Sequence, residues 1–176
     1  LIYNCFQFIE LFYSLIDSDN FEILDEIMNG KTYNYEISDQ FIKKLFHHCL
    51  IVSDQSIKYM TFLIDYDQKH NNVIDFKNES FLTHIKKYNK CDSIEEIVNF
   101  IIDKGDDVNR PNEENAYPLQ QAILSEFEEL VDVLLKTQKI NYSQIINIQL
   151  NNYVSAETYL HLAARCENIE IFQLFL

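Results

Sequence analysis

The sequence predicts an all-α fold, a solenoid of about five stacked helix-turn-helix units joined by hairpins or loops. Three observations point to it. Only two glycines and two prolines occur in 176 residues, and strand-rich sandwiches lean heavily on both for their turns. Apolar residues fall at spacings of three and four over several stretches, the period of one helix face. A leucine-centred pattern also recurs at Leu82, Leu119 and Leu160, with more degenerate positions at Phe12 and Leu45, giving separations of 33, 37, 37 and 41 residues.

Taken in order, Leu1 to Ile16 is apolar but interrupted by Gln7 and Glu10 and lacks a basic flank, so it reads as an amphipathic helix rather than a signal peptide. Phe12 to Ile16 leads after nine residues to Phe21 to Leu24, an offset that reappears between Leu160 and Ile169. The second unit, Gln40 to Leu50 and Ser56 to Asp65, is helical by pattern alone. In the third, Ser80 to His84 carries the leucine, and Asn89 to Ser93 lengthens the following turn.

Ile94, Ile97, Val98, Ile101 and Ile102 then form one apolar stripe. Gly105 stops that helix because it lacks a Cβ and takes the left-handed conformation of a helix C-terminus, while Asp106, Asp107 and Asn109 supply turn chemistry. The next unit opens at Tyr117, Pro118, Leu119 and Ala122 and continues in Glu129 to Leu135. Within Ile140 to Tyr153, Ile146, Ile148 and Leu150 alternate with polar neighbours; that period of two predicts an enlarged hairpin or projecting loop. The last unit carries Thr158, Leu160, His161 and Ala163.

Thr158, Leu160, His161 and Ala163 resemble the T-P-L-H-x-A opening of an ankyrin repeat, with Tyr159 in place of the proline, and Tyr117, Pro118, Leu119 and Ala122 keep the same register. The resemblance is strongest over residues 94–176. It divides the single solenoid into degenerate units over 1–78 and clearer repeats over 79–176, the last cut at Leu176. The missing initiator methionine and the apolar helix at Leu176 lead one to expect a piece of something longer. Stacked units cover one another's apolar faces, so a charge at Leu119 or Leu160 is expected to break two interfaces at once.

The resemblance implies a non-catalytic module that grips a partner protein on hairpin tips and the inner face of the first helices. On this register the contact residues are Phe76, Lys77, Glu79, Lys87 and Tyr88 in one unit. Glu113, Glu114, Ala116, Leu124 and Ser125 follow in the next, then Val154, Ser155, Glu157, Arg165 and Cys166. His161 is implied to be structural. The alternative is the helical repeat region of a larger enzyme or effector whose catalytic domain lies outside this chain.

Charge narrows the partner. The net charge is −14, and Asp92 to Asp132 holds twelve acids against Lys104 and Arg110. Such a surface repels phosphate backbones and anionic lipid, which argues against nucleic acid and membrane and for a basic protein. No run approaches the roughly 20 apolar residues that span a bilayer. Cys5, Cys49, Cys91 and Cys166 are scattered, without a C-x-x-C pair, which suggests a reducing, intracellular and cytoplasmic setting. The triplets beginning at Asn78 and Asn141 would matter only in a secretory lumen.

Other chemistry finds little support. His47, His48 and Cys49 are adjacent, so on a helix they point apart, and no second ligand pair follows them. Asp65, Asp67, Asn71 and Asp75 lack the glycine and closing glutamate of a calcium loop and read as a solvated connection. Glu126, Glu128, Glu129 and Asp132 spread around an exposed helix side. Phosphate-loop, nucleophile-elbow and zinc-protease motifs are missing from the sequence, so no cofactor, metal or catalytic residue is expected. A self-contained hydrolase would require a deep pocket with converging polar groups.

Overall fold

The computed structural model describes residues 5–30, 37–52, 56–70, 72–86, 94–144, 146–150 and 153–176. The chain divides into two compact units, Leu1–Asp75 with Tyr88–Asp92, and Phe76–Lys87 with Ser93–Leu176. The main boundary falls three residues before the 78/79 division that the repeat pattern places.

Among the described residues the first unit holds four helices: α1 (Cys5–Asp17), α2 (Phe21–Asn29), α3 (Asp39–Val52) and α4 (Ser56–His70). α1 packs on α2 and on α3, and α3 on α4, so the two first helices lie side by side as repeat stacking requires. Phe12, Leu24, Ile42, Leu45, Phe46, Met60 and Leu63 are buried between them. Burial of each such side chain contributes about 1.5–3 kcal/mol. The α1–α2 turn closes when Asn20 N–H donates to Leu15 C=O at 2.8 Å, with Asp19 in the left-handed region at φ 51°. The Asp19 carboxylate then accepts from Tyr59 Oη at 2.8 Å and Lys58 Nζ at 3.2 Å.

Asp67, in the last turn of α4, ties down the chain that follows the helix. Its two carboxylate oxygens accept from the backbone N–H groups of Val73 and Ile74, each at 2.9 Å. The residue is buried, so at Asp67 the expected solvated connection is instead an internal tie. Burial without those two donors would leave an uncompensated charge.

The second unit is the clearer stack. A 3-10 turn at Phe81–His84 stands where the first helix of the third repeat is expected. It is followed by α5 (Ile94–Asp103), α6 (Pro118–Leu124), α7 (Glu128–Lys136), strands β1 (Ile146–Leu150) and β2 (Tyr153–Glu157), α8 (Tyr159–Arg165) and α9 (Ile169–Gln173). α6 packs against the 3-10 turn on one side and α8 on the other, while α7 packs between α5 and α9. First helices thus form one row and second helices another. Leu82, Leu119, Ile97, Val98, Leu130, Leu134 and Ile171 are buried along these rows.

The predicted hairpin is present: β1 and β2 pair antiparallel from Ile146 opposite Glu157 to Leu150 opposite Tyr153. The predicted stop at Gly105 is present too, with φ 111° and Asp106 N–H bonded back to Ile101 C=O at 3.2 Å. The α6–α7 turn uses the same closure without glycine. Glu126 takes φ 52° and Phe127 N–H donates to Ala122 C=O at 2.9 Å. Gln138, after α7, takes φ 55°.

Leu160 departs from expectation. Leu119 and Leu82 are sealed, but Leu160 is 45% exposed. α8 buries Tyr159, Leu162 and Ala163 instead, which leaves Leu160 on the rim of an open cleft of about 390 Å³ with Leu135, Tyr142, Leu174 and Phe175. A charge at Leu160 would therefore not break two interfaces.

Candidate partner-binding surface

Side chains satisfy backbone groups in the turn between α5 and α6. Asn112 Oδ1 accepts from the N–H groups of Glu114 at 3.0 Å and Ala116 at 2.9 Å. Asn112 N–H bonds to Ala116 C=O at 2.9 Å, and Asn115 sits at φ 59°. This closed turn holds Glu113 and Glu114 outward, both exposed. Asn112 was not singled out by its sequence, although an asparagine ahead of a short polar run is the residue that makes such turns.

Successive tips are joined at their bases. Asn109 Nδ2 donates to Lys139 C=O at 2.7 Å, and Asn109 Oδ1 accepts from Asn141 N–H at 2.7 Å. Arg110 reaches back, donating to Phe76 C=O at 2.6 Å and to Asp106 at 3.4 Å. The Asp106 side chain is fully buried and also accepts from Leu82 N–H at 3.0 Å and Asp107 N–H at 2.8 Å. Burial outweighs those donors and Arg110, and lifts its carboxyl to about 6.

The helix openings repeat one device. Gln120 Oε1 accepts from Tyr117 N–H at 3.2 Å. One unit later His161 Nδ1 lies 2.8 Å from Thr158 Oγ1 and 3.4 Å from Thr158 N. His161 thus bonds within its turn. Glutamine and histidine occupy the same position, three residues into the opening, and both satisfy an N-cap donor.

The expected contact residues separate into groups. Glu113, Glu114, Leu124 and Ser125 are exposed on the second unit, and Leu124 keeps 52% of its surface open at the end of α6. The Ser125 hydroxyl is turned inward to Gln121 C=O at 2.8 Å. Glu157 and Arg165 form an ion pair with each other, tying β2 to α8, with Arg165 the more open of the two. Lys77 is exposed and Glu79 half-buried.

Phe76 is corrected: it is buried, its ring 4.9 Å from that of Phe81, because Arg110 draws its backbone under the exit loop. Ala116 is likewise buried beneath the Asn112 turn. Lys87 and Tyr88 lie outside the described residues, as do the side chains of Val154 and Ser155 and the turn at Asn89 to Ser93. Cys166 is half-buried, its thiol 3.0 Å from Ala163 C=O.

In the first unit His48 is committed elsewhere. Its Nε2 meets Asp17 at 2.7 Å and its ring stacks on Tyr13 at 4.0 Å. Cys49 beside it is buried, and burial pushes its thiol far above the ordinary range, away from nucleophilic reactivity. Among the described residues no helix is long and apolar enough to cross a membrane.

Comparison with known proteins agrees with this architecture. A family model for ankyrin repeats, in three copies, matches residues 88–176, just over half of the chain. Neither the curated proteins nor the solved structures searched gave a match. Two rows of stacked helices, caps at Tyr117 and Thr158 and the matched span lead to one conclusion: the chain belongs to the ankyrin-repeat family.

Proposed function

We propose that this chain is a non-catalytic protein-interaction module that engages a basic partner along the second unit. Ankyrin repeats are generally protein-interaction modules and the family is typically non-catalytic. The observation that carries the finer reading is the turn before α6, which holds Glu113 and Glu114 outward through two Asn112 hydrogen bonds, while Leu124 at the end of the same helix stays open. A rigid tip loses little conformational freedom on binding, and its carboxylates steer a cationic partner while an aliphatic anchor supplies desolvated area. Arg110, the closest arginine in sequence, is engaged internally with Phe76 and Asp106. An intracellular, cytoplasmic setting belongs to this reading, supported by the scattered cysteines.

The test is cross-linked capture of partners in cells by wild type and by the double variant Glu113→Lys, Glu114→Lys, followed by association kinetics of the captured protein. A partner lost by charge reversal, with association that slows about tenfold or more between low and physiological salt, supports the reading. Capture and kinetics unchanged by charge reversal would overturn it.

A further inference from the structure

Asn29 is the only asparagine in the chain followed by glycine. That dipeptide is chemically reactive, because a glycine amide meets little steric hindrance as it folds back onto the preceding side chain. The structure explains why the glycine is there. An ideal Cβ on Gly30 would lie 2.0 Å from Glu26 C=O, so no residue with a side chain fits the present end of α2.

Two hydrogen bonds restrain the pair. Gly30 N–H donates to Glu26 C=O at 2.8 Å, which occupies the nitrogen that would have to attack. Asn29 Nδ2 donates to Asp25 Oδ1 at 2.7 Å, which holds the amide along the helix and away from its own backbone. Asn29 itself is exposed, so water and hydroxide reach it whenever the turn opens. Helix ends open more readily than helix centres.

We propose that Asn29 is a self-modification site, converting spontaneously to aspartate and isoaspartate, gated by the last turn of α2 and holding that turn open once converted. In the first step the Gly30 amide nitrogen, having given its proton to solvent, bonds to Asn29 Cγ. The bond from Cγ to Nδ2 breaks, and the nitrogen leaves as ammonia with a proton returned by solvent. Water then opens the resulting five-membered imide at either carbonyl, producing aspartate or isoaspartate and releasing a proton. Nothing is oxidised or reduced, and water is the only co-reactant.

The product acts against the structure that restrained it. A carboxylate at position 29 faces Asp25 one turn back, exchanging a donor–acceptor pair for two like charges at i, i+4. It also sits at the negative end of the helix dipole, next to Glu26. Isoaspartate adds a carbon to the backbone and breaks the Gly30 to Glu26 register outright. α2 buries Leu24 and Met28 in the first unit, so a loosened last turn reaches the core of that unit.

The intact chain is incubated at mildly alkaline pH, folded and in urea, and digested peptides are separated by reversed-phase chromatography and identified by mass spectrometry with electron-transfer fragmentation, which tells the isomeric aspartate and isoaspartate forms apart. In urea Asn29 should convert before every other asparagine; in the folded chain its conversion should be slower by on the order of tenfold or more, the suppression expected of a terminal turn that must open. Asp25→Ala should speed folded-state conversion severalfold and leave the urea rate unchanged. Asn29→Asp should lower the unfolding midpoint relative to Asn29→Gln. Equal rates in folded chain and urea, or an Asn29 no faster than Asn71 in urea, would overturn the gated site. Equal midpoints for the two substitutions would overturn its effect on α2.

Discussion

The carboxylate of Asp106 accepts a hydrogen bond from the backbone N–H of Leu82 at 3.0 Å across 24 residues of sequence. One buried side chain therefore holds the 3-10 turn of one repeat to the exit loop of the next helix. That arrangement makes the second unit sensitive to acidity in a defined direction. The Asp106 carboxyl is lifted by burial to about 6, against an unfolded value near 3.9. Between these values the folded chain keeps a proton that the unfolded chain has lost. The resulting stability is fully present below about 4 and is lost as pH rises through 6, by about 3 kcal/mol at most. Urea midpoints at pH 5 and pH 7.5 should differ less in Asp106→Asn than in wild type.

Leu119 and Leu160 occupy the same position of their repeats but differ in burial, fully sealed against 45% exposed. Leu119→Asp should cost roughly 3–5 kcal/mol, through lost apolar burial and an uncompensated charge. Leu160→Asp should cost under about 1 kcal/mol. Denaturant midpoints of the two variants measure the contrast directly, and equal losses would remove the distinction.

Asn109 bridges two loops with both ends of its amide. Asn109→Ala should destabilise the second unit by about 1–2 kcal/mol, since a donor and an acceptor are lost together. Asn109→Asp keeps the acceptor for Asn141 but sets a carboxylate oxygen against Lys139 C=O, so it should not restore wild-type behaviour. Hydrogen exchange at the Asn141 amide, read with the melting curve, follows the bond itself.

His161 and Gln120 do the same work one repeat apart. His161→Gln should be close to neutral, while His161→Ala should cost about 0.5–1.5 kcal/mol of cap stability. If glutamine is no better than alanine, the equivalence of the two caps is wrong.

The elements most legible in the sequence were those written as periodicity. The stripe from Ile94 to Ile101 became α5, and the alternation at Ile146, Ile148 and Leu150 became β1. Gly105 announced its turn because glycine is the expected residue at that conformation. The matching closure at Glu126 was silent, since an acidic residue carries no such signal and is held there by the Phe127 to Ala122 bond. Spacing alone could not orient side chains between helices. Register placed Phe76 on the contact strip, whereas Arg110, 34 residues on, draws its carbonyl inward. The 3-10 turn at Phe81–His84 shows the same limit: Leu82 marks the repeat faithfully, but the leucine does not say how many residues of helix surround it.

Asp19, Glu126 and Gln138 hold left-handed backbone without being glycine, a conformation that costs an L-residue roughly 1–2 kcal/mol. A chain with two glycines has thus left thermal headroom untaken in its turns. Gln138 is exposed, and Gln138→Gly removes a side chain from solvent while relaxing its backbone. The melting temperature should rise by a few degrees, about what 0.5–1 kcal/mol yields in a domain of this size. A surface turn of this kind therefore holds stability that one glycine substitution can recover without disturbing the buried rows of helices.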